Sequence, residues 1–161
     1  MGPSIDPGGN RRLAWLLFLS CVLLYNLNHR YQGTADTAPN VYLPISLILH
    51  QDFYLDRFPS LPNADKKPPP YYLQPSHGRL ISSFPVLPAL LAVPVYLGPA
   101  LWLKAKGIPY SSLVFYDTSV TCAKLAASMI AAGSAVFVFL TLAKCVSRSK
   151  AFPLEIGRAH V

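Results

Sequence analysis

Three long apolar stretches alternate with polar and proline-rich segments along the chain. The first follows two arginines and carries no charge, the second is uncharged but holds four prolines, and the third is rich in alanine, glycine and serine. A helix of roughly 20 apolar residues crosses the hydrocarbon core of a bilayer. The pattern therefore predicts an all-α integral membrane protein with about three transmembrane helices, at residues 13–28, 84–103 and 120–146.

The first stretch has two interpretations. A basic start, a short apolar core and the small residues Gly33 and Ala35 are the parts of a cleaved signal peptide. Polar residues between positions 26 and 30 separate the core from those small residues, however, and two further apolar stretches follow. These features favour an uncleaved membrane anchor, preceded by a cytoplasmic tail of residues 1–12.

The second and third stretches predict helices that pack against partners. Each proline inside a helix removes a backbone hydrogen bond and costs about 3 kcal/mol in water, but neighbouring helices in a membrane protein can satisfy the freed groups. The second helix is therefore expected to be kinked. Small residues along the third helix allow a partner helix to approach closely, which predicts burial within a multi-helix bundle.

Composition and charge support the membrane class. Hydrophobic residues make up 52% of the chain and charged residues 13%, about half the charged share of an average soluble domain. The 14 basic residues are scattered between apolar blocks instead of forming the basic patch of a nucleic-acid-binding protein. The expected partner is therefore membrane lipid and not nucleic acid. The three cysteines form no CxxC pair and are interpreted as small apolar residues.

The basic flanks indicate an orientation but also a conflict. The arginines before the first stretch place the N-terminus in the cytoplasm and residues 29–83 outside. Lys104 and Lys106 are then cytoplasmic again, whereas the basic residues between positions 144 and 150 fall outside, against the positive-inside rule. Either the proline-rich second stretch does not fully cross the membrane, or later parts of a longer chain dominate the topology.

The external loop, residues 29–83, is where chemistry is expected, because loops far longer than roughly 8 residues are usually functional or disordered. Pro39 suits the first turn of a helix. The apolar positions that follow give this helix one hydrophobic face: Val41, Leu43, Ile45, Leu47, Ile48 and Leu49. The pattern predicts a helix lying on the membrane surface, followed by an extended proline-rich stretch.

Within this loop, one acid and two basic residues are candidates for a site. Asp36 stands at the external mouth of the first predicted span, directly before the surface helix. Together with Thr37 it is interpreted as a helix cap. Lys67 and Arg79 carry charges suited to an anionic phosphate, although basic residues beside a membrane usually contact lipid headgroups.

The other acids have structural interpretations. Asp52 and Asp56 are expected to form a solvated pair or a salt bridge with Arg57. Asp117, in the short connection predicted over residues 104–119, is expected to cap the third helix.

The order of these parts resembles the N-terminal region of GT-C type integral membrane glycosyltransferases, the superfamily that includes protein mannosyltransferases and aminoarabinose transferases. Asp36 stands where that family keeps an early catalytic aspartate in a long external loop. The stretch KKPPPYYL, residues 66–73, is similar to a Lys-Pro-Pro stretch of some members. The stretches DTAPNVYLPISLI and GRLISSFPVLPALLAVPVYL are also similar to bacterial glycosyltransferase-like proteins of unassigned substrate. The resemblance covers residues 10–150.

The resemblance implies transfer of a sugar from a polyprenyl-phosphate donor to an acceptor on the outer side of the bacterial inner membrane. Asp36 then takes or orients the acceptor proton, and Lys67, His77 and Arg79 receive the phosphate charge. The proline-rich second helix lines a groove for the lipid. No organic cofactor is implied. The family often has a second acid where this chain has Thr37, so a divalent metal stays an open question.

Two other classes remain open from the sequence. A transporter subunit fits kinked spans and small-residue packing, and a membrane-anchored interaction protein without catalytic activity fits the first helix and the loop. Residues 155–161, EIGRAHV, match the translation of a common sequencing adapter. Residues 147–161 are therefore interpreted as a truncated tail, and the intact enzyme is expected to carry further spans that this fragment needs for activity.

Overall fold

The computed structural model describes residues 7–27, 33–61 and 68–158. This part of the chain is mostly helical and contains one small antiparallel sheet. Its elements are α1 (Pro7–Asn26), α2 (Ala38–His50), β1 (Leu73–Ser76), β2 (Arg79–Ser82), α3 (Leu87–Ala105) and α4 (Leu113–Arg158). The chain forms two compact units, called here the helical unit (Met1–Asn28 with Ser128–Val161) and the mixed unit (His29–Ala127).

The helical character agrees with the prediction, and two of the described helices are long and apolar enough to cross a membrane. These are α3, with 19 residues, and α4 over the 33 residues Leu113–Cys145. Among the described helices α1 does not meet the same criterion, because Arg11 and Arg12 occupy its second turn. The first predicted span, residues 13–28, therefore stays a prediction.

The helical unit exposes large apolar side chains along α1. Trp15, Leu16, Leu23 and Leu24 are each at least 60% exposed. A helix that presents an apolar face needs a partner or a lipid environment to cover it. This face is compatible with association with a membrane.

Helix α2 forms the centre of the mixed unit. Residues 41–46 are all buried, and Leu43 and Ile45 are almost completely inaccessible. The helix is apolar on nearly every side, so it has no polar face to turn toward water, and it packs against α3. The prediction of a helix with Pro39 in its first turn is confirmed. The prediction that this helix lies on a surface is wrong.

A β-hairpin follows α2 and was not predicted. Strands β1 and β2 pair in register, with Ser76 opposite Arg79. His77 and Gly78 form the two-residue turn with φ values of 50° and 75°, as a type I′ turn requires. The available signal was a glycine-containing dipeptide between two short runs, but the surrounding prolines favoured an extended, unpaired stretch.

Helix α3 begins at Leu87, slightly later than predicted, and contains Pro94 and Pro99 in its interior. The prediction of an apolar helix with interior prolines is therefore confirmed. Near the middle of the helix, the hydroxyl of Tyr96 donates to the carbonyl oxygen of Ser119 at 2.9 Å. This bond ties α3 to the start of α4 in a buried position.

Helix α4 begins at Leu113, inside the segment that was predicted as a connection over residues 104–119. The backbone N–H of Phe115 donates to Oγ of Ser112 at 3.1 Å, which is the geometry of an N-cap. Asp117 lies inside the helix, beyond the cap. The prediction that Asp117 caps this helix is therefore wrong.

An aromatic cluster holds α2 and the segment after it against the connection between α3 and α4. The ring of Tyr42 stacks on those of Phe58 and Phe115, with centroids 5.2 and 6.3 Å away. The ring of Tyr110 lies 5.2 Å from Phe58 and 5.0 Å from Phe115. Nε2 of His50 lies 2.7 Å from the hydroxyl of Tyr110. Aromatic pairs of this kind add about 0.5–1.5 kcal/mol each beyond their buried area.

Candidate functional site

Asp36 lies in a short 3-10 turn directly before α2 and is exposed to solvent. The hydroxyl of Tyr71 donates to its Oδ1, and Oδ2 has no hydrogen-bond partner among the described residues. Thr37 occupies the N-cap position without a side-chain capping bond, because its Oγ1 bonds to the backbone of Thr34 instead. The predicted capping hydrogen bond is therefore wrong, and within the described residues one carboxylate oxygen of Asp36 is not used in a hydrogen bond.

Tyr71 is held in place beside Asp36 and remains a donor. The hydrogen bond to Asp36 is the main cause that raises the pKa of Tyr71 above its ordinary value near 10.0, and desolvation and the charge of Asp36 act in the same direction. The phenol is therefore protonated at neutral pH. Its ring lies edge-on to Tyr72 at 5.6 Å, and Tyr72 is buried. A fixed neighbour thus positions the group that orients Asp36.

The predicted phosphate-binding residues lie away from Asp36 or outside the described residues. Lys67 lies outside the described residues. His77 is exposed in the hairpin turn, with Nδ1 3.1 Å from Oγ of Ser76. Tyr71 precedes β1 at the open end of the hairpin, so His77 and Asp36 are associated with opposite ends of a strand roughly 13 Å long at about 3.3 Å per residue.

Arg79 already has a carboxylate partner. Its Nε lies 3.2 Å from both carboxylate oxygens of Asp56, and its Nη2 lies 3.0 Å from Oδ2. The guanidinium carbon also sits 4.2 Å from the ring centroid of Tyr54. The hydrogen bonds to Asp56 raise the pKa of Arg79 further. Arg79 shares no hydrogen bond with Asp36 or His77 in the described part of the chain.

Asp52 is surrounded by donors. Its Oδ1 accepts the backbone N–H of Tyr54 at 3.1 Å and lies 2.8 Å from the hydroxyl of Ser46, while its Oδ2 accepts Nη2 of Arg57 at 2.8 Å. Burial raises the pKa of Asp52, but these hydrogen bonds and the charge of Arg57 outweigh burial and lower the pKa below its usual value. The predicted salt bridge between Asp52 and Arg57 is confirmed.

A cleft of about 430 Å³ opens beside this network, at the end of α2. Gln51 closes the helix there in a left-handed conformation with φ 57°, which costs a residue with a Cβ about 1 kcal/mol. The cleft lies at the opposite end of α2 from Asp36. It is lined by Leu43, Gln51, Asp52, Phe53, Tyr54, Ser76, Ile81, Ser82, Phe84 and Val86.

Within the part of the chain that the structure describes, no group of three possible metal ligands includes these acids. No group of three His, Cys, Asp or Glu side chains that could share a metal ion occurs within the described ranges. Asp36 has Thr37 and not a second acid beside it.

Sequence reasoning missed Tyr71 as the partner of Asp36, because the two residues are 35 positions apart and no local pattern connects them. It also missed Asp56 as the partner of Arg79, at a separation of 23 positions. The paired tyrosines before β1 were the available signal. Comparison with known proteins found no matching family model, curated protein or solved structure.

Proposed function

We propose that this chain is part of a membrane glycosyltransferase that transfers a sugar from a polyprenyl-phosphate donor to an acceptor on the outer side of the membrane, with Asp36 as general base. The observation that carries the proposal is the environment of Asp36. Its carboxylate is exposed, is oriented by Tyr71 through Oδ1, and keeps Oδ2 without a described partner. A base needs such a free oxygen within reach of the proton it takes.

The transfer step follows from this arrangement. Oδ2 of Asp36 takes the proton of the acceptor hydroxyl while the acceptor oxygen attacks the anomeric carbon of the donor. The bond between that carbon and the phosphate oxygen breaks, and its electron pair leaves with the polyprenyl phosphate. Tyr71 is a positioning residue, because its hydrogen bond fixes the carboxylate while the base is anionic.

The departing phosphate needs positive charge or donors close to it. Within the proposal, Lys67, which lies outside the described residues, supplies them, whereas His77 lies at the far end of β1 from Tyr71. Arg79 can contribute only by exchanging Asp56 for the phosphate, and exposed ion pairs are weak enough for such an exchange.

The substitution Asp36→Asn tests the base, because it keeps the size of the side chain and an acceptor for Tyr71 but removes the basic oxygen. We expect sugar transfer to fall by about 100-fold or more, the contribution of a general base. The measurement is transfer from a panel of radiolabelled polyprenyl-phosphate sugars in membranes that contain the intact protein. Tyr71→Phe is expected to cause a smaller loss.

Asp117→Asn is the matched control, since Asp117 is an exposed acid on α4 with no proposed role in the reaction. It should transfer sugar at the unmodified rate. Undiminished transfer by a folded Asp36→Asn protein would exclude the base role of Asp36.

A further inference from the structure

The two faces of α3 differ in the size and exposure of their side chains. One face packs into the mixed unit with mostly small buried residues: Ala89, Ala92, Tyr96, Ala100 and Leu103. The opposite face, called here the leucine face, consists of large apolar residues that are 48% to 63% exposed: Leu87, Leu90, Leu91, Leu97, Leu101 and Trp102. The protein therefore covers only one side of this helix.

The chain just after α2 lies close to both flanks of α3. Val86, the residue before α3, lines the same cleft as Gln51 and Asp52. The residue before Gln51 is His50. Its Nε2 lies 2.7 Å from the hydroxyl of Tyr110, which follows the C-terminal end of α3. One short segment thus lies near both flanks of the helix.

This proximity to both flanks is incompatible with a helix that crosses a bilayer. The 19 residues of α3 are roughly 28 Å long, close to the hydrocarbon thickness of about 30 Å. If α3 crossed, its flanks would lie on opposite sides, and residues 50–58 would have to bridge them within the hydrocarbon. That segment contains Asp52, Asp56 and Arg57 in irregular backbone, which lipid does not accommodate.

We infer that α3 does not cross the membrane and instead lies in the interface of the outer leaflet, with the leucine face in lipid. Lys104 and Lys106, both exposed at the end of the helix, then reach the phosphate headgroups. The partner of this surface is the bilayer itself. The inference goes beyond the proposed function and does not depend on the chemistry of Asp36.

The charge pattern supports this placement. With Lys104 and Lys106 on the outer side, a single crossing by α4 brings the basic residues between positions 144 and 150 into the cytoplasm. The positive-inside rule is then satisfied at α4. Of the two explanations of the charge conflict, the structure favours the one in which the proline-rich stretch stays on one side.

Cysteine labelling tests the sidedness. Single cysteines are placed at two exposed positions, Gln74→Cys in β1 and Ser111→Cys after α3, in a chain whose own three cysteines are replaced by serine. A membrane-impermeant maleimide is applied to spheroplasts before and after permeabilisation. We expect both positions to react before permeabilisation. Reaction of Ser111→Cys only after permeabilisation would show that α3 crosses and would overturn the inference.

Fluorescence quenching tests the lipid contact independently. The chain has two tryptophans, Trp15 and Trp102, which are replaced by phenylalanine, and Leu97→Trp then places one tryptophan at the middle of the leucine face. The protein is reconstituted in phosphatidylcholine vesicles brominated near the headgroup or near the end of the acyl chain. We expect stronger quenching by the shallow bromines. Stronger quenching by the deep bromines, or none by either, would overturn the inference.

Discussion

Asp36 and Asp52 differ in the number of donors around each carboxylate. Asp36 has one donor among the described residues, the hydroxyl of Tyr71, whereas Asp52 has the Ser46 hydroxyl, a backbone N–H and the guanidinium of Arg57. A carboxylate with a full set of donors is stabilised as a structural anion, and one with a free oxygen can still bind a substrate proton. This difference separates the candidate base from the structural acid.

The bond between Tyr71 and Asp36 predicts a shift in tyrosine titration. Asp36→Asn should lower the pKa of Tyr71 toward its ordinary value near 10.0, because the carboxylate charge that favours the protonated phenol is lost and only a weaker, neutral acceptor is left for the hydroxyl. The measurement is tyrosinate absorbance against pH, with Tyr71→Phe identifying its component. The control Asp117→Asn should leave the tyrosinate titration curve unchanged. A Tyr71 pKa that does not move in Asp36→Asn would show that the bond does not form in solution.

The network of Asp52 predicts acid sensitivity. Its pKa is lower in the folded state, so its stabilisation is fully present above the unfolded value near 3.8 and is lost as the pH falls through the folded pKa. Asp52→Asn should destabilise the mixed unit by roughly 2 kcal/mol at neutral pH and remove this part of the acid dependence. Denaturant unfolding at several pH values measures both effects. A neutral-pH stability equal to that of the unmodified chain would contradict the prediction.

Among the secondary-structure elements, the start of α4 depends on a single side-chain acceptor. Helix α4 begins where Ser112 supplies an oxygen to the N–H of Phe115, and not at the apolar residues that mark the predicted span. The capping hydrogen bond from Ser112, more than the hydrophobic pattern, decides where the first turn of α4 lies. The reason is that it satisfies a backbone donor that would otherwise lack a partner.

Removing this cap should be measurable. Ser112→Ala is expected to destabilise the mixed unit by about 1 kcal/mol, the usual contribution of an N-cap hydroxyl. Asp117→Ala is the matched control and should have little effect, because Asp117 makes no capping bond in the described structure. Thermal unfolding of the reconstituted chain compares the two variants. A larger loss of stability for Asp117→Ala than for Ser112→Ala would show that Asp117 caps α4, as predicted from the sequence.

For the folded chain as a whole, His50 links α2 to the connection between α3 and α4. Burial is the main cause that lowers the pKa of His50 below 6.5. Smaller electrostatic effects come from Arg57, Lys104 and Arg79, which lower the pKa, and from Asp52, which raises it. The folded state therefore favours the neutral imidazole of His50.

This linkage predicts weaker packing in mild acid. Because the folded pKa of His50 lies below the unfolded value near 6.5, its stabilisation is present above 6.5 and is lost as the pH falls through the folded pKa. The midpoint of thermal unfolding should fall over this range, and His50→Gln should flatten the dependence. His77→Gln, at the exposed hairpin turn, is the control. Equal slopes for His50→Gln and the unmodified chain would contradict the prediction.

The apolar helices could be predicted from the sequence because each depends on residues that are close together in the chain. The apolar stretch around Pro94 and Pro99 produced a helix, and Pro39 marked the first turn of another. The hairpin was missed, since its signal is a two-residue turn and the flanking prolines suggested an unpaired chain. For the candidate site, the sequence pointed to Asp36 and Arg79 but not to their partners Tyr71 and Asp56, because both partners come from distant segments.

The sequence by itself determined the apolar helices and the distribution of basic residues, and it gave the salt bridge between Asp52 and Arg57 as one of two alternatives, since each depends on residues close together in the chain. Tertiary structure decided that α2 is a core helix, that Asp36 is oriented by Tyr71, and that one segment lies near both flanks of α3. Such contacts depend on the path of the whole chain. Periodicity along a helix reports how much surface is apolar, but not whether protein or lipid covers it.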